Sequence, residues 1–330
     1  MCYYICMLAT RVAVVKGGPS SEYEVSLATG AGVSDALSKL GYKVIDITVS
    51  KNGEWLTNGL VKKPEVALAT ADVVFIAMHG AYGEDGTIQR ICERLHIPFT
   101  GSNSFTSSVA FDKDMTKRAL APHAIKTPQH VKITSPMMED LDDLTQHIVK
   151  SFGPEYVLKP TSSGSSHGIM MADNADMLRI ALEEMAKADH EFMIEERIRG
   201  REATCAVLEN FRDQVIYVLP AIEIIPPASH DFFAADIKYS GATTELVPGR
   251  FSYTEKEMIA DMATAVHTIL GLTQYSRSDF MIKEGEVYFL EVNTLPGLTS
   301  QSLFPKAAEA VGLSFSGLID HLVKTARVRA

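Results

Sequence analysis

The first hundred residues alternate short β-branched runs with a helical repeat. Arg11–Lys16 (RVAVVK), Lys43–Val49 (KVIDITV) and Asp72–Met78 (DVVFIAM) read as strands, and Glu22–Leu40 reads as a helix. In that helix Val25, Ala28, Gly32, Ala36 and Leu40 recur at spacings of three and four, which predicts one stripe against a sheet, with Gly41 as the stop. Strand, helix and strand in this order predict a parallel sheet, with the helix starting off a strand end.

The texture changes from Gly101. A polar loop, a helix through Asp112 and Lys117, strands at Gln129–Thr134 and Glu155–Lys159 and a helix near Glu139–Ser151 predict a second unit. A third holds strand-like runs at Ala203–Leu208 and Gln214–Leu219. The capping-box pattern Thr254-Glu-Lys-Glu257 opens a helix with Met258, Met262, Val266 and Ile269 along one side and Gly271 after its end. Ile225–Arg250 carries little pattern, as functional lids and disordered linkers do. The expected division is 1–102, 103–194 and 195–330, the last with a lid loop at 225–250.

Ser276–Lys283 and Val287–Asn293 predict a hairpin linked by Glu284-Gly285-Glu286. With all three linking residues in the loop, Lys283 faces Val287, Asp279 faces Glu291 and Arg277 faces Asn293. Phe280, Ile282, Tyr288, Leu290 and Val292 then share the other face, whereas a two-residue turn would split the two acids. Carboxylates ~4 Å apart repel by ~4 kcal/mol at an effective dielectric of ~20, so positive charge is expected beside them. Acid and amide oxygens are hard ligands that suit Mg²⁺; the alternative is a strand pair whose acids face water.

Composition narrows the partners. With 46% hydrophobic and 22% charged residues the chain is that of a globular protein. Its 31 Lys plus Arg against 41 Asp plus Glu, a net charge of -10, disfavour nucleic acid and anionic lipid. No apolar run approaches the ~18 to 20 residues of a membrane span. Cys2, Cys6, Cys92 and Cys205 lack Cys-x-x-Cys spacing and are expected as free thiols in a reducing, cytoplasmic setting. Met1–Ala9 lacks the basic start of a signal peptide, so no export is expected, and Met7 is an alternative start.

Three more segments could carry chemistry. Lys159–Gly168 (KPTSSGSSHG) follows a strand and offers N–H and O–H donors to phosphate, or is a plain linker. Gly17–Glu22 (GGPSSE) places Glu22 at a strand-to-helix turn, to hold a cationic group or to complement the helix dipole. His79–Gly86 (HGAYGEDG) puts a lone histidine at a strand end, a structural group or a catalyst.

Taken together, Gly17-Gly-Pro-Ser-Ser-Glu-x-Glu-Val-Ser26, His79–Gly86, Lys238-Tyr239 and Glu291-Val-Asn-Thr-Leu-Pro-Gly-Leu-Thr-Ser300 resemble, in order from Arg11 to the C-terminal helix, the D-alanine:D-alanine ligase family of ATP-grasp enzymes. The resemblance implies an α/β, three-domain ATP-grasp architecture. An N-terminal parallel-sheet substrate-binding domain (1–102) would precede central (103–194) and C-terminal (195–330) ATP-grasp subdomains. It implies ATP-dependent, ADP-forming ligation of two D-alanines through an acyl phosphate, for peptidoglycan precursors, with ATP and two Mg²⁺ or Mn²⁺ ions.

By the same resemblance Lys113, Lys159, Ser165 and Lys238 would serve the phosphates, Glu195, Glu196 and Ile198 the adenine, and Glu202 the ribose. Asp279, Glu291 and Asn293 would ligate the metals. Glu22, with Ser165 and Tyr239, would hold the first ammonium group. Arg277 and the Gly297 N–H would stabilise the oxyanion, Ser302 and Leu303 the second carboxylate, and His79 would bind substrate. His167, Ser278 and Asp236-Ile237 depart from the family pattern. Tyr239 favours an amine nucleophile over the hydroxyl of D-lactate. D-serine or another amino acid as second substrate, and a non-catalytic nucleotide-binding protein, are the alternatives. A homodimer is implied, with no nucleic-acid or membrane partner.

Overall fold

The computed structural model describes residues 9–164, 168–187, 191–227 and 243–328. Its first part runs β1 (Arg11–Gly17), α1 (Tyr23–Lys39), β2 (Lys43–Val49), β3 (Trp55–Thr57), β4 (Leu60–Lys62), α2 (Pro64–Ala67), β5 (Val73–Ile76) and α3 (Thr87–Leu95). The sheet order is β4-β3-β2-β1-β5, with β1 parallel to both β2 and β5 and an antiparallel β3–β4 edge. Successive connections thus leave β1 in opposite directions, and the crevice this creates at the carboxyl ends of β1 and β5 is where such sheets bind ligands. Residues 17–22 and 77–86 form its two lips.

The buried face of α1 is Ser26, Thr29, Gly30, Val33, Ala36 and Leu37, one position round from the predicted stripe. Val25 is half-buried, while Ala28 and Leu40 are exposed. The cause is that the first two turns bury small hydroxyl residues, Ser26 and Thr29, which apolar counting skips.

The middle of the chain carries α4 (Ser104–Phe111), α5 (Lys113–Leu120), β6 (His130–Ile133), α6 (Leu141–Ser151), β7 (Tyr156–Pro160), β8 (Met170–Ala172), α7 (Ala175–Ala186) and β9 (Phe192–Glu196). The single helix expected through Asp112 is two. Asp112 leaves the helical conformation, ends α4, and caps α5 by accepting from Met115 N–H at 2.9 Å. The antiparallel sheet β6-β9-β7-β8 alternates strictly. Tyr156, Leu158, Ala172, Phe192 and Ile194 pack on α6 and α7, which leaves Val157, Lys159, Met171 and Glu195 for the opposite face.

The remainder comprises β10 (Arg201–Phe211), β11 (Gln214–Val218), β12 (Ile222–Ile225), β13 (Thr244–Leu246), α8 (Tyr253–Ile269), β14 (Tyr275–Lys283), β15 (Glu286–Asn293), α9 (Leu303–Ala310) and α10 (Phe315–Thr325). The stretch expected to lack structure thus contributes β13 to the sheet β13-β12-β10-β14-β15, with β11 on β10. The N-cap of α8 is Ser252, whose capping box closes with Glu255, not Thr254 with Glu257. Three cores result. One joins the first sheet to α9, α10 and part of β10; one lies between α4, α5, α8 and the last sheet; one fills the middle unit. The expected boundary at 194/195 falls inside β9.

The β14–β15 hairpin departs from the expected geometry at its turn. Lys283 pairs with Glu286, so the turn is the two residues Glu284 and Gly285, both at positive φ (52° and 81°), as a type I′ turn requires. A bulge between Asp279 and Phe280 then shifts the register, and Asp279 faces Glu291 and Arg277 faces Asn293 after all. The bulge reverses parity on β15. Val287, Phe289 and Val292, not Tyr288 and Leu290, join Phe280 and Ile282 in the core, each burial worth ~1.5 to 3 kcal/mol. Leu290 and Glu291 both turn to the opposite face.

Candidate active site

The opposed faces of the two later sheets line a cleft of about 930 Å³ including its open mouth. Val157, Lys159, Met171 and Glu195 form one wall; Glu202, Ile224, Met281 and Leu290 form the other. Its inner end reaches Arg277, Asp279 and Glu291, with Glu196, Ile198 and Leu303 also on the lining. Of the expected phosphate, base, ribose and metal residues, Lys159, Glu195, Glu196, Ile198, Glu202, Asp279 and Glu291 line this one cleft, while Lys113 and Asn293 line an adjoining smaller pocket that shares Glu291. Ser165, His167, Asp236, Ile237, Lys238 and Tyr239 lie outside the described residues.

Asp279 is fixed from three sides. Arg277 donates to it through Nε and Nη2, both at 2.9 Å, Thr204 Oγ1 donates at 2.6 Å, and Asn293 Nδ2 approaches at 3.3 Å. Burial pulls the Arg277 guanidinium down, but Asp279, Glu291 and Glu84 outweigh it and leave its pKa above the usual value. Glu291 meets Lys113 Nζ at 3.2 Å. The positive charge expected beside the two acids is thus supplied by Arg277 and Lys113. Lys113, the first residue of α5, also ties this hairpin to the serine loop: its backbone N–H donates to Thr161 O at 2.9 Å and its Nζ to Ser163 O at 2.7 Å. Ser278, the family departure on β14, is buried between Cys205 and Val292.

Deeper in the cleft Glu195 is held by two ammonium groups. Lys159 Nζ lies 2.8 Å from its Oε2, and Lys117 Nζ bonds its Oε1. All three side chains are buried. Burial would raise the Glu195 pKa, but Lys117 and Lys159 together bring it down to about 2. Burial lowers Lys117 to about 8 against the pull of Glu195, so both remain charged at neutral pH. Lys117 was not singled out in the sequence; its position four residues after Lys113, on the same helical face, was the available sign.

Glu22 occupies the crevice of the first sheet, buried, at the N-terminus of α1. A Cβ on Gly164 would lie 2.2 Å from its Oε2, and one on Gly80 2.9 Å from the same atom. Two glycines from different units therefore enclose one carboxylate oxygen so closely that a Cβ on either would force it to move. His79 spends both ring nitrogens on protein groups. Nδ1–H donates to Leu295 O at 3.0 Å, the only role a carbonyl allows, so Nε2 accepts from Thr29 Oγ1 at 2.8 Å. Burial lowers its pKa and keeps it neutral, despite nearby Glu22. Glu84, also missed in the sequence, accepts from Gly80 N at 2.9 Å and Leu295 N at 3.3 Å. Leu295 is thus gripped on both sides of its residue, two positions beyond Asn293. Beyond it Gly297 packs against Ser302, the N-cap of α9, whose Oγ accepts from Thr299 N at 3.1 Å.

The acidic crevice of Glu22 thus meets, at Gly164, the small pocket lined by Glu291 and Asn293. The D-ala D-ala ligase C-terminus profile matches residues 120–324 and the D-ala D-ala ligase N-terminus profile residues 11–67 and 60–102. The D-alanine–D-alanine ligase of Carboxydothermus hydrogenoformans is 36% identical over 316 residues, 95% of this chain and 97% of that one. Among solved structures, D-alanine–D-alanine ligase from Bacillus anthracis complexed with ATP superposes with a TM-score of 0.78 at 34% identity, covering 96% of this chain and 97% of that one. The VanG D-Ala:D-Ser ligase from Enterococcus faecalis does so with a TM-score of 0.81 at 28% identity, covering 96% and 99%. No described helix is long and apolar enough to cross a membrane. Matched from Arg11 to the last helix by both halves of one family, the chain belongs to the D-alanine–D-alanine ligases.

Proposed function

We propose that ATP lies between the two later sheets and that the protein joins two D-alanines to D-alanyl-D-alanine for peptidoglycan precursors. The observation that carries this reading is the hairpin: Asp279 opposite Glu291, with Arg277 and Lys113 beside them, and Lys113 bonded to Ser163 next to the Gly164 that lies on Glu22. Glu22 binds the ammonium of the first D-alanine. The carboxylate of that substrate attacks the γ-phosphorus, the bond to ADP breaks, and an acyl phosphate forms. The second D-alanine, as its neutral amine, then attacks the acyl carbon, phosphate leaves, and the nitrogen releases one proton to solvent and keeps the other as the amide N–H.

Lys113 and Lys159, with Lys238, neutralise the phosphates; Glu195, the Glu196–Ile198 backbone and Glu202 hold base and ribose. Arg277 and the Gly297 N–H stabilise the tetrahedral oxyanion, a preorganised donor being worth ~3 kcal/mol. Ser302 and Leu303, at the start of α9, receive the second carboxylate where unpaired helix N–H groups favour an anion. Ser165 and Tyr239 complete the site around Glu22. His79 acts by fixing Leu295 and not by touching substrate. Asp279, Glu291 and Asn293 are a hard-oxygen set that fits two Mg²⁺, and Asn293 keeps its Oδ1 available because its Nδ2 faces Asp279. Bound there, the ions supply charge neutralisation at the phosphates. Because an acyl phosphate hydrolyses when wet, the serine loop and residues 225–250 serve as covers.

A homodimeric assembly belongs to the same proposal, with light scattering as its test. The defining experiment is phosphate release from ATP and Mg²⁺ on adding D-alanine, with the dipeptide identified by mass. Release only with D-serine would favour the second reading, which the likeness to a D-Ala:D-Ser ligase supports. Absence of release with any amino acid would leave a nucleotide-binding protein.

A further inference from the structure

Two lysines share Glu195, and they differ in where they stand. Lys159, on β7, lines the cleft and is placed to follow phosphate oxygens. Lys117 does not line it: it reaches Glu195 from α5, behind the wall, with 2% of its surface exposed. When Lys159 turns to a triphosphate, Lys117 becomes the partner that stays.

We propose that Lys117 is a positioning residue that determines nucleobase specificity, holding the Glu195 carboxylate charged and aimed into the cleft so that it accepts from an exocyclic amine and repels a carbonyl there. This rests on the nucleotide lying in this cleft with its base at Glu195. A charged carboxylate only accepts hydrogen bonds, so adenine, with its amino group, fits, and hypoxanthine, with a carbonyl at the same carbon, does not. Without Lys117 the buried carboxyl gains a proton as burial favours its neutral form, and its O–H then donates to that carbonyl. A site built around one hydrogen-bonding pattern discriminates strongly until that pattern is relaxed.

The test is binding of ATP and inosine triphosphate, measured by calorimetry with Mg²⁺, to the wild type, Lys117→Met and Lys117→Arg. The ATP-to-ITP affinity ratio is expected to fall at least ~10-fold in Lys117→Met and to stay within ~3-fold of wild type in Lys117→Arg, which keeps the charge. A purely structural role would weaken both nucleotides together and leave the ratio unmoved. That result in folded Lys117→Met overturns the inference, as does a collapsed ratio in folded Lys117→Arg, which remains decisive if the methionine variant fails to fold. Wild-type protein that binds neither nucleotide would instead remove the cleft assignment and this inference together.

Discussion

Replacing Gly164 by alanine perturbs the site with one methyl group. The new Cβ would lie 2.2 Å from Glu22 Oε2 and 3.1 Å from its Cδ, where ordinary contact begins at 3.4 Å. Either Glu22 or the loop must retreat by more than ~1 Å. Glu22 cannot yield without cost, because Gly80 and Ser20 close the crevice behind it and the side chain is buried. A displacement of that size at a reacting group costs ~10²-fold, or ~2.7 kcal/mol at 1.36 kcal/mol per decade. The expected outcome is a ~10²-fold fall in kcat/KM for D-alanine in coupled ADP release, with ATP affinity within ~3-fold and an unchanged thermal midpoint. Gly41→Ala is the control, since its Cβ meets nothing within 4 Å. Its φ of +86° costs ~1 to 2 kcal/mol of stability and no specific activity. A Gly164→Ala enzyme with wild-type kcat/KM for D-alanine would show that Glu22 and the serine loop do not close on the substrate together.

Glu291→Gln should lower turnover at least ~10²-fold and raise the Mg²⁺ concentration needed, with circular dichroism unchanged; turnover at the wild-type rate would remove Glu291 from the metal set. Burial, and then the charge of Glu22, push Glu84 up to about 8. A carboxyl raised on folding leaves the native state holding more protons, so its contribution to stability shrinks as pH rises from ~4.5 toward ~8. Glu84→Gln is therefore expected to flatten that decline in urea midpoints measured from pH 5 to 8.5; an identical slope would contradict the assignment. Ser252→Ala removes the cap of α8 and should cost ~1 kcal/mol in chemical denaturation, whereas Thr254→Ala should cost less than half of that.

The three parallel strands of the first sheet were legible because β-branched runs bounded by turns have few other folds, whereas the short antiparallel edge of β3 and β4 was not. What was hidden was decided by contacts. Ser252-Tyr-Thr-Glu255 and Thr254-Glu-Lys-Glu257 are equally good capping boxes; the first prevails where Glu255 is buried and also meets Arg201. The turn at Glu284-Gly285 and the bulge near Leu290 each shift the hairpin by one residue and cancel at the acids, so the pairing was right for a wrong reason. Ser26 and Thr29 were passed over as polar, yet they hold the His79 backbone N–H and ring. Glu84 acts through a partner far along the chain, Leu295, which no local pattern announces, and for Lys117 the helical spacing from Lys113 gives the face but not the partner, Glu195.

The most direct test follows oxygen. With D-alanine labelled by ¹⁸O in its carboxylate, ATP and Mg²⁺, an acyl phosphate route delivers one labelled oxygen into each phosphate released, read by mass spectrometry. Dipeptide formed alongside unlabelled phosphate would mean that the substrate carboxylate never attacks the nucleotide held above Asp279 and Glu291.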